Sequence, residues 1–190
     1  MAERSEREKM LAGELYLATD RELVAMRRKA RRLTRLYNAS TEEEILKRHE
    51  LLLELFGSLG DGAEIEPPFY CDYGSHIHVG NNFYMNFGCV VLDVNVVRIG
   101  DNVMCGPYVQ ILTASHPIDP AARASGRELG LPIIIGNDVW VGAGAIIGAG
   151  VRIGDGTTIG AGSVVVRDIP SRVLAAGNPC RVIRSLEESV

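Results

Sequence analysis

Three observations in the 190-residue sequence predict a mainly β protein, a parallel β-helix wound from hexapeptide repeats. A β-branched aliphatic residue recurs at every sixth position, as Ile135, Val141, Ile147, Ile153, Ile159 and Val165. Glycine directly follows each of the first five. The residue four places after each is also small or β-branched, at Val139, Ala145, Val151, Thr157 and Ser163. A six-residue period marks a solenoid in which three short strands make one coil. Each repeated aliphatic then points into a triangular prism, and the following glycine permits the tight bend at a prism edge.

Residues 1–60 read differently, as an α-helical N-terminal cap. Asp20 and Glu22 signal a helix start before Leu23, Met26, Ala30, Leu33 and Tyr37, which fall at helical spacing. Ser40 or Thr41, with Glu43 and Glu44, opens a second helix carrying Ile45, His49, Leu52, Leu53 and Phe56 and ending at Gly57. These helices are expected to cover the open end of the solenoid, where unpaired strand edges would invite association. The basic run Arg27, Arg28, Lys29, Arg31, Arg32 and Arg35 is flanked by acidic residues and reads as a solvated helix face.

The solenoid is expected over 61–180. Upstream of the regular stretch the phase runs through Tyr73, Val79, Met85 and Val91, slips by two residues to Ile99, and continues through Cys105 and Ile111. From Leu112 to Pro132 the period is lost among prolines and glycines, which places a loop excursion at 112–134. A long loop inside a regular solenoid is usually functional. About six coils at roughly 4.8 Å give a rigid wall on the order of 30 Å tall. Residues 181–190 read as a tail, a short exposed helix.

Composition narrows the classes. A formal net charge of -4 offers no general attraction to nucleic acid, and base-stacking aromatics are scarce. With no apolar run near 18 residues and no basic-then-apolar leader, neither a membrane span nor a secretory signal is expected, and a cytoplasmic address follows. Cys71, Cys89, Cys105 and Cys180 lie far apart without a C-x-x-C, which argues for reduced, mostly buried thiols.

Candidate chemistry starts from four histidines. His49 lies on the second helix and reads as partly buried and structural. His76 and His78 alternate with Ile77 and Val79, so both should face away from the prism interior. His116 stands in Thr113-Ala114-Ser115-His116-Pro117, where the coil pattern stops, and Pro117 holds it extended. An imidazole there can take a proton from a substrate hydroxyl at neutral pH. Cys89 and Cys105 sit among apolar and glycine neighbours, which disfavours a thiolate nucleophile.

The run from Arg98 to Val103, the segments Thr113 to Pro120 and Ser125 to Gly130, and Pro132 to Gly142 resemble the maltose and galactoside O-acetyltransferases. So do Lys9 to Tyr16, Arg35 to Asn38, Glu66 to Gly74, Leu92-Asp93-Val94, Asp168-Ile169-Pro170 and Ala176 to Pro179, so that the likeness spans essentially the whole chain. It implies a left-handed coil, a homotrimer with active sites between subunits, acetyl-CoA as co-substrate, and a sugar acceptor acetylated at a hydroxyl, that of carbon 6 in the first instance. His116 corresponds to the general base of a direct transfer. Asp72, Tyr84, Asn86 and Asp93 correspond to acceptor contacts, each of which could instead be a turn or edge residue. Trp140, Ala143, Ala161, Val166, Arg167, Arg181 and Arg184 correspond to coenzyme A contacts, although Trp140 could simply cover a prism face. The oxyanion donor is expected to be a backbone N–H near Ala143.

No metal is expected. The zinc-holding hexapeptide-repeat anhydrases carry a histidine pair five apart, and the position five after His116 is Ala121. Gly74-Ser75 is similar to the galactoside enzymes, whereas Cys71-Asp72 and Leu92-Asp93-Val94 are similar to the maltose ones, so the acceptor stays open. The other readings are the same scaffold with a galactoside, serine, oligosaccharide or xenobiotic acceptor, and a non-catalytic solenoid.

Overall fold

A computed structural model describes residues 4–186. Its first segment comprises α1 (Glu6–Leu11), β1 (Tyr16–Leu17), α2 (Arg21–Asn38) and α3 (Ile45–Leu55). Ser5 and Glu8 form a reciprocal capping box on α1. The Asp20 side chain accepts from the N–H groups of Glu22 and Leu23 at the start of α2, as its position predicts. None of the described helices is long and apolar enough to cross a membrane.

The coils then follow. The first is β2 (Ser58–Leu59), β3 (Glu64–Ile65) and β4 (Phe69–Cys71), and the second is β5 (Ile77–Val79), β6 (Tyr84–Met85) and β7 (Cys89–Leu92). The third is β8 (Val97–Ile99), β9 (Met104–Cys105) and β10 (Gln110–Leu112). An excursion contains β11 (Ala114–Ser115), α4 (Pro120–Ala124) and β12 (Arg127–Gly130). The fourth coil is β13 (Ile133–Ile135), β14 (Trp140–Val141) and β15 (Ile146–Ile147), and the fifth is β16 (Arg152–Ile153), β17 (Thr158–Ile159) and β18 (Val164–Val165). A partial sixth pairs Ile169 with Ile153 and continues into β19 (Val173–Gly177), from which β20 (Cys180–Ser185) turns back antiparallel.

Like strands stack in parallel into three faces: β2-β5-β8-β13-β16, then β3-β6-β9-β14-β17-β19, then β4-β7-β10-β15-β18. All six repeated aliphatics from Ile135 to Val165 are at most 2% exposed, and Val139, Ala145, Val151, Thr157 and Ser163 are buried with them. The hexapeptide count therefore describes the prism core. Vertical partners are 18 residues apart below the excursion, as with Trp140 and Thr158, but 20 apart above it, as with Ile77 and Val97. The two extra residues sit where the third face turns into the first, between Val91 and Ile99 and between Cys71 and Val79.

That geometry corrects several expectations. Cys71, not Tyr73, is the vertical partner of Val91. Tyr73 lies in the extra residues and packs with Met10, Tyr16, Leu23 and Val94 in a separate cluster under the N-terminal segment. His78 faces outward as expected, 3.1 Å from Ser58 Oγ, but His76 precedes the strand and is buried. Helix α3 starts at Ile45 rather than at Ser40 or Thr41, because the intervening residues form a turn in which Thr41 N donates to Glu44. Its inward face is Leu52 and Leu55, with Phe56 just beyond, leaving Ile45, Leu53 and His49 exposed. Arg27 is not a freely solvated cation: it donates to Tyr73 Oη at 2.7 Å and to Ala18 O at 2.6 Å. The expected C-terminal helix is a strand through Ser185, paired with β19, which continues the sheet hydrogen bonding; the part of that tail from 187 to 190 lies outside the described residues.

The helices meet the solenoid through its unpaired first coil. Asn38 accepts from Phe69 N at 2.8 Å and donates to Phe69 O at 2.9 Å, and Tyr37 Oη donates to Ile65 O. These bonds satisfy backbone groups that a preceding coil would otherwise pair.

Candidate functional site

The candidate residues divide between two sides of the prism. Asp72, Asp93, His116, Val166 and Arg167 lie on or project from the edge where the third face turns into the first. Tyr84 and Trp140 point outward from the second face, in one vertical row with Met104, Thr158 and Leu174. Asn86, Ala143 and Ala161 occupy the edge between the second and third faces, while Arg181 and Arg184 follow on β20. Concavities of the single chain lie elsewhere. One of about 560 Å³ lies between α3 and the first coil, one of about 540 Å³ beside the start of α2, and one of about 360 Å³ on the first face, and none of these is lined by His116 or Trp140.

The edge between the second and third faces is built flush. A Cβ on Gly142 would sit 2.5 Å from Ala161 N, and one on Gly106 would sit 2.7 Å from Ala143 N, so only glycine lets the coils close there. Ala143 and Ala161 are exposed, and neither N–H has an internal acceptor among the described residues. The edge thus offers a column of fixed backbone donors, which suits an extended chain of amides. Trp140 (52% exposed), Met104, Tyr108 and Phe87 put apolar surface beside it, with Phe87 and Tyr108 packed edge to face at 5.8 Å. The sequence pointed to Trp140 but not to Phe87 and Tyr108, although large residues at outward repeat positions were the available signal. Arg181 and Arg184 are exposed and free to meet an anion, apart from bonds to the carbonyls of Cys180 and Ser185.

The other edge is elaborated with side chains. His116 is exposed and follows β11 directly. The excursion that carries it is ordered rather than irregular: β1, β12 and β11 form a small antiparallel sheet. At its base Asn95 Nδ2 donates to Gly130 O at 2.9 Å and lies within bonding distance of Met10 O and Leu11 O. The N-terminal segment, the coil and the excursion are thereby joined at one buried amide.

Asp93, expected as an acceptor contact, is fully buried within the chain, and its carboxylate is engaged by backbone N–H groups. Oδ1 accepts from Asp72 N at 3.1 Å and Tyr73 N at 2.8 Å, and Oδ2 from His76 N at 3.3 Å. Burial pushes its carboxyl up to about 7, aided by the Asp72 charge and opposed by the N–H groups of Tyr73 and His76. Its work is to hold the turn that presents Asp72. Burial likewise raises Asp72, against Arg27 and Arg31, which favour its ionised form. His76 Nδ1 donates to Asp93 O at 2.7 Å, and burial lowers its pKa, so it stays neutral within the fold. Burial pushes the thiols of Cys71, Cys89 and Cys105 up, which leaves them poor nucleophiles. Among the described residues no group of three or more His, Cys, Asp or Glu side chains is arranged to hold a metal.

Two further polar residues beneath this edge were not singled out from the sequence. Tyr16, with no exposed surface, donates from Oη to Glu128 Oε2 at 3.0 Å, a contact spanning 112 residues that no local pattern encodes.

Comparison with known proteins follows this geometry. Residues 9–60 match the family described as maltose acetyltransferase hexapeptide capping motif, and residues 132–167 match bacterial transferase hexapeptide (six repeats). The chain is 50% identical to nodulation protein L of Rhizobium meliloti (strain 1021), covering 94% of this chain and 98% of that one. It is 43% identical to galactoside O-acetyltransferase of Escherichia coli (strain K12), covering 95% and 89%. Among solved structures, a maltose O-acetyltransferase from Clostridium difficile 630 superposes with TM-score 0.96 at 52% identity, covering 97% and 99%. A galactoside acetyltransferase in complex with coenzyme A gives 0.94 at 42%, covering 97% and 92%. A hexapeptide-repeat acetyltransferase from Vibrio cholerae O1 biovar eltor, complexed with acetyl coenzyme A, gives 0.91 at 40%, covering 97% and 100%.

Proposed function

Because this chain belongs to the hexapeptide-repeat family of maltose and galactoside O-acetyltransferases, we propose that it transfers the acetyl group of acetyl-CoA directly to a sugar hydroxyl, with His116 as general base. One observation carries the reading beyond the family. Along the elaborated edge the order from the first coil downward is Asp72, then His116 beyond the third coil, then Val166 and Arg167 after the fifth. Along the second face and its flush edge it is Tyr84 and Asn86 in the second coil, Trp140 and Ala143 in the fourth, Ala161 in the fifth, then Arg181 and Arg184. Both columns run from acceptor contacts to coenzyme A contacts in the same axial direction.

A rotation axis parallel to the prism preserves that order, so the elaborated edge of one protomer meets the flush edge of the next with matching ends. A homotrimer with three sites between neighbours satisfies this, and it covers the exposed Phe87, Met104, Tyr108 and Trp140. The pantetheine amides then bond backbone at Ala143 and Ala161, Trp140 packs on the arm, and Arg167, Arg181 and Arg184 meet phosphates, with Val166 an apolar contact. Asp72, Tyr84 and Asn86 bond the sugar.

In the reaction His116 takes the proton of the acceptor hydroxyl as its oxygen attacks the thioester carbonyl. A backbone N–H near Ala143 bonds the resulting oxyanion. Collapse breaks the C–S bond, and the proton passes from the imidazolium to the coenzyme A thiolate. A primary hydroxyl such as that of carbon 6 fits best, being the least hindered on a hexose. The test is thiol release from acetyl-CoA with maltose, glucose, isopropyl thiogalactoside, serine or no acceptor. Release that depends on a sugar supports the reading and ranks acceptors; release with serine alone overturns the acceptor class; silence throughout, without coenzyme A binding, favours a scaffold.

A further inference from the structure

The small sheet at the base of the excursion sets three chemistry-bearing residues in a row. Its strand order is β1-β12-β11. Tyr16 stands opposite Glu128, and Ala114 and Ser115 stand opposite Gly130 and Leu129. The next step of that register sets His116 opposite Glu128. Leu131 N donates to Thr113 O at 3.0 Å, so bonded pairs fall at 113/131 and 115/129. Pair 116/128 is then of the closer, non-bonded kind, with Cα atoms roughly 4.5 Å apart and side chains on one side. The direction of Glu128 is fixed independently, since its Oε2 accepts from Tyr16 Oη at 3.0 Å. Tyr16, Glu128 and His116 therefore line up across three strands.

We propose that Glu128 is a positioning residue of the transfer reaction: its carboxylate, clamped by the Tyr16 hydroxyl, accepts the Nδ1–H of His116 and turns Nε2 toward the acceptor hydroxyl. The proposal rests on the reading of His116 as base. Among the described residues no ion pair joins the two side chains, so a side-chain rotation of His116 closes the contact as the site fills. While the acceptor proton resides on the imidazole, an ionised Glu128 stabilises the cation without taking the proton itself, and the proton then leaves for the thiolate.

The surroundings suit the part. Burial and the Glu128 charge both hold the Tyr16 phenol in its protonated, donating form. Asp72 and Tyr73 of the first coil also lie within electrostatic reach of Glu128, while Arg27 and Arg31 of α2 face Asp72. The carboxylate is thus anchored on the N-terminal segment, so that segment shapes the chemistry of an excursion more than one hundred residues away.

The experiment is steady-state kinetics of Glu128→Gln from about pH 5 to about pH 9, beside wild type, His116→Ala and Tyr16→Phe, with the fold checked by thermal melting. The expected result is a fall in kcat of roughly 10- to 10²-fold with the acceptor KM nearly constant. The acidic limb of the kcat/KM profile should move to lower pH, because the imidazolium has lost its counter-charge. Tyr16→Phe, which keeps the ring packing, should move both readouts the same way by less, and Glu128→Asp should restore part of kcat. A raised acceptor KM at unchanged kcat makes Glu128 a sugar contact and overturns the proposal; so does an unmoved acidic limb. Full turnover in His116→Ala defeats the base itself, an outcome distinct from failure of the Glu128 variants alone.

Discussion

The two prism edges that carry the candidate site are built in opposite ways. Between the second and third faces the chain is stripped to Gly106, Gly142, Ala143, Gly160 and Ala161, so the coils close tightly and the backbone itself is the surface. Between the third and first faces the chain adds two residues in each early coil and then a whole excursion, clothed in Asp72, Tyr73, His116 and Glu128. Under the proposed function, the contrast matches what each edge would recognise. A cofactor arm of repeating amides would be served by backbone donors that no rotamer change can move. A sugar acceptor would be served by side chains and loops, which sequence can vary without disturbing the repeat.

Substitutions sharpen or break that contrast. The largest effect belongs to the elaborated edge: His116→Ala should lower turnover by roughly 10²- to 10⁴-fold with the assembly retained, read by thiol release and light scattering. On the flush edge, Ala143→Trp places a ring across the amide column and should raise the KM for acetyl-CoA by roughly 10- to 10²-fold, equally for every acceptor. Acceptor-dependent effects there would abolish the division of labour. Trp140→Ala should raise that KM by roughly tenfold and leave the ranking of sugars alone. Asp72→Asn should change the ranking instead, with the KM for acetyl-CoA unchanged.

The smallest effect concerns Asp93, whose folded pKa is raised to about 7. Between its unfolded pKa and that value the native state binds more protons than the unfolded one. The contribution of Asp93 is therefore complete below about pH 4 and is lost as the pH rises through about 7. Urea unfolding of Asp93→Asn should show a shallower decline with pH across that window; an identical slope would mean the three N–H donors, not protonation, dominate the site.

Much of this was legible in the residue order. The sixes from Ile135 to Val165 record the core because inward positions of every coil meet the same packing demand. The two-residue slip before Ile99 was visible too, but its counterpart after Cys71 was not, since Tyr73 is itself large, apolar and in phase. The partners of Tyr16, Arg27, His76 and Asp93 lie 17 to 112 residues away, or cross from the helices to the solenoid, and no local period encodes them. His116 stood out because the repeat stops beside it. That the site residues occupy two different edges follows only once the coils are stacked.

The central claim is that the site is completed between protomers, and subunit complementation tests it most directly. His116→Ala and Ala143→Trp, each inactive or impaired alone, are mixed one to one by co-refolding and assayed for sugar-dependent thiol release at acetyl-CoA below the wild-type KM, where the raised KM of Ala143→Trp leaves that parent nearly silent. Sites pairing an intact elaborated edge with an intact flush edge from the neighbour should return roughly a quarter of wild-type activity, the share expected for random mixing in a cyclic assembly. Activity no greater than the average of the two parents would contradict a shared site and place all the chemistry within one chain.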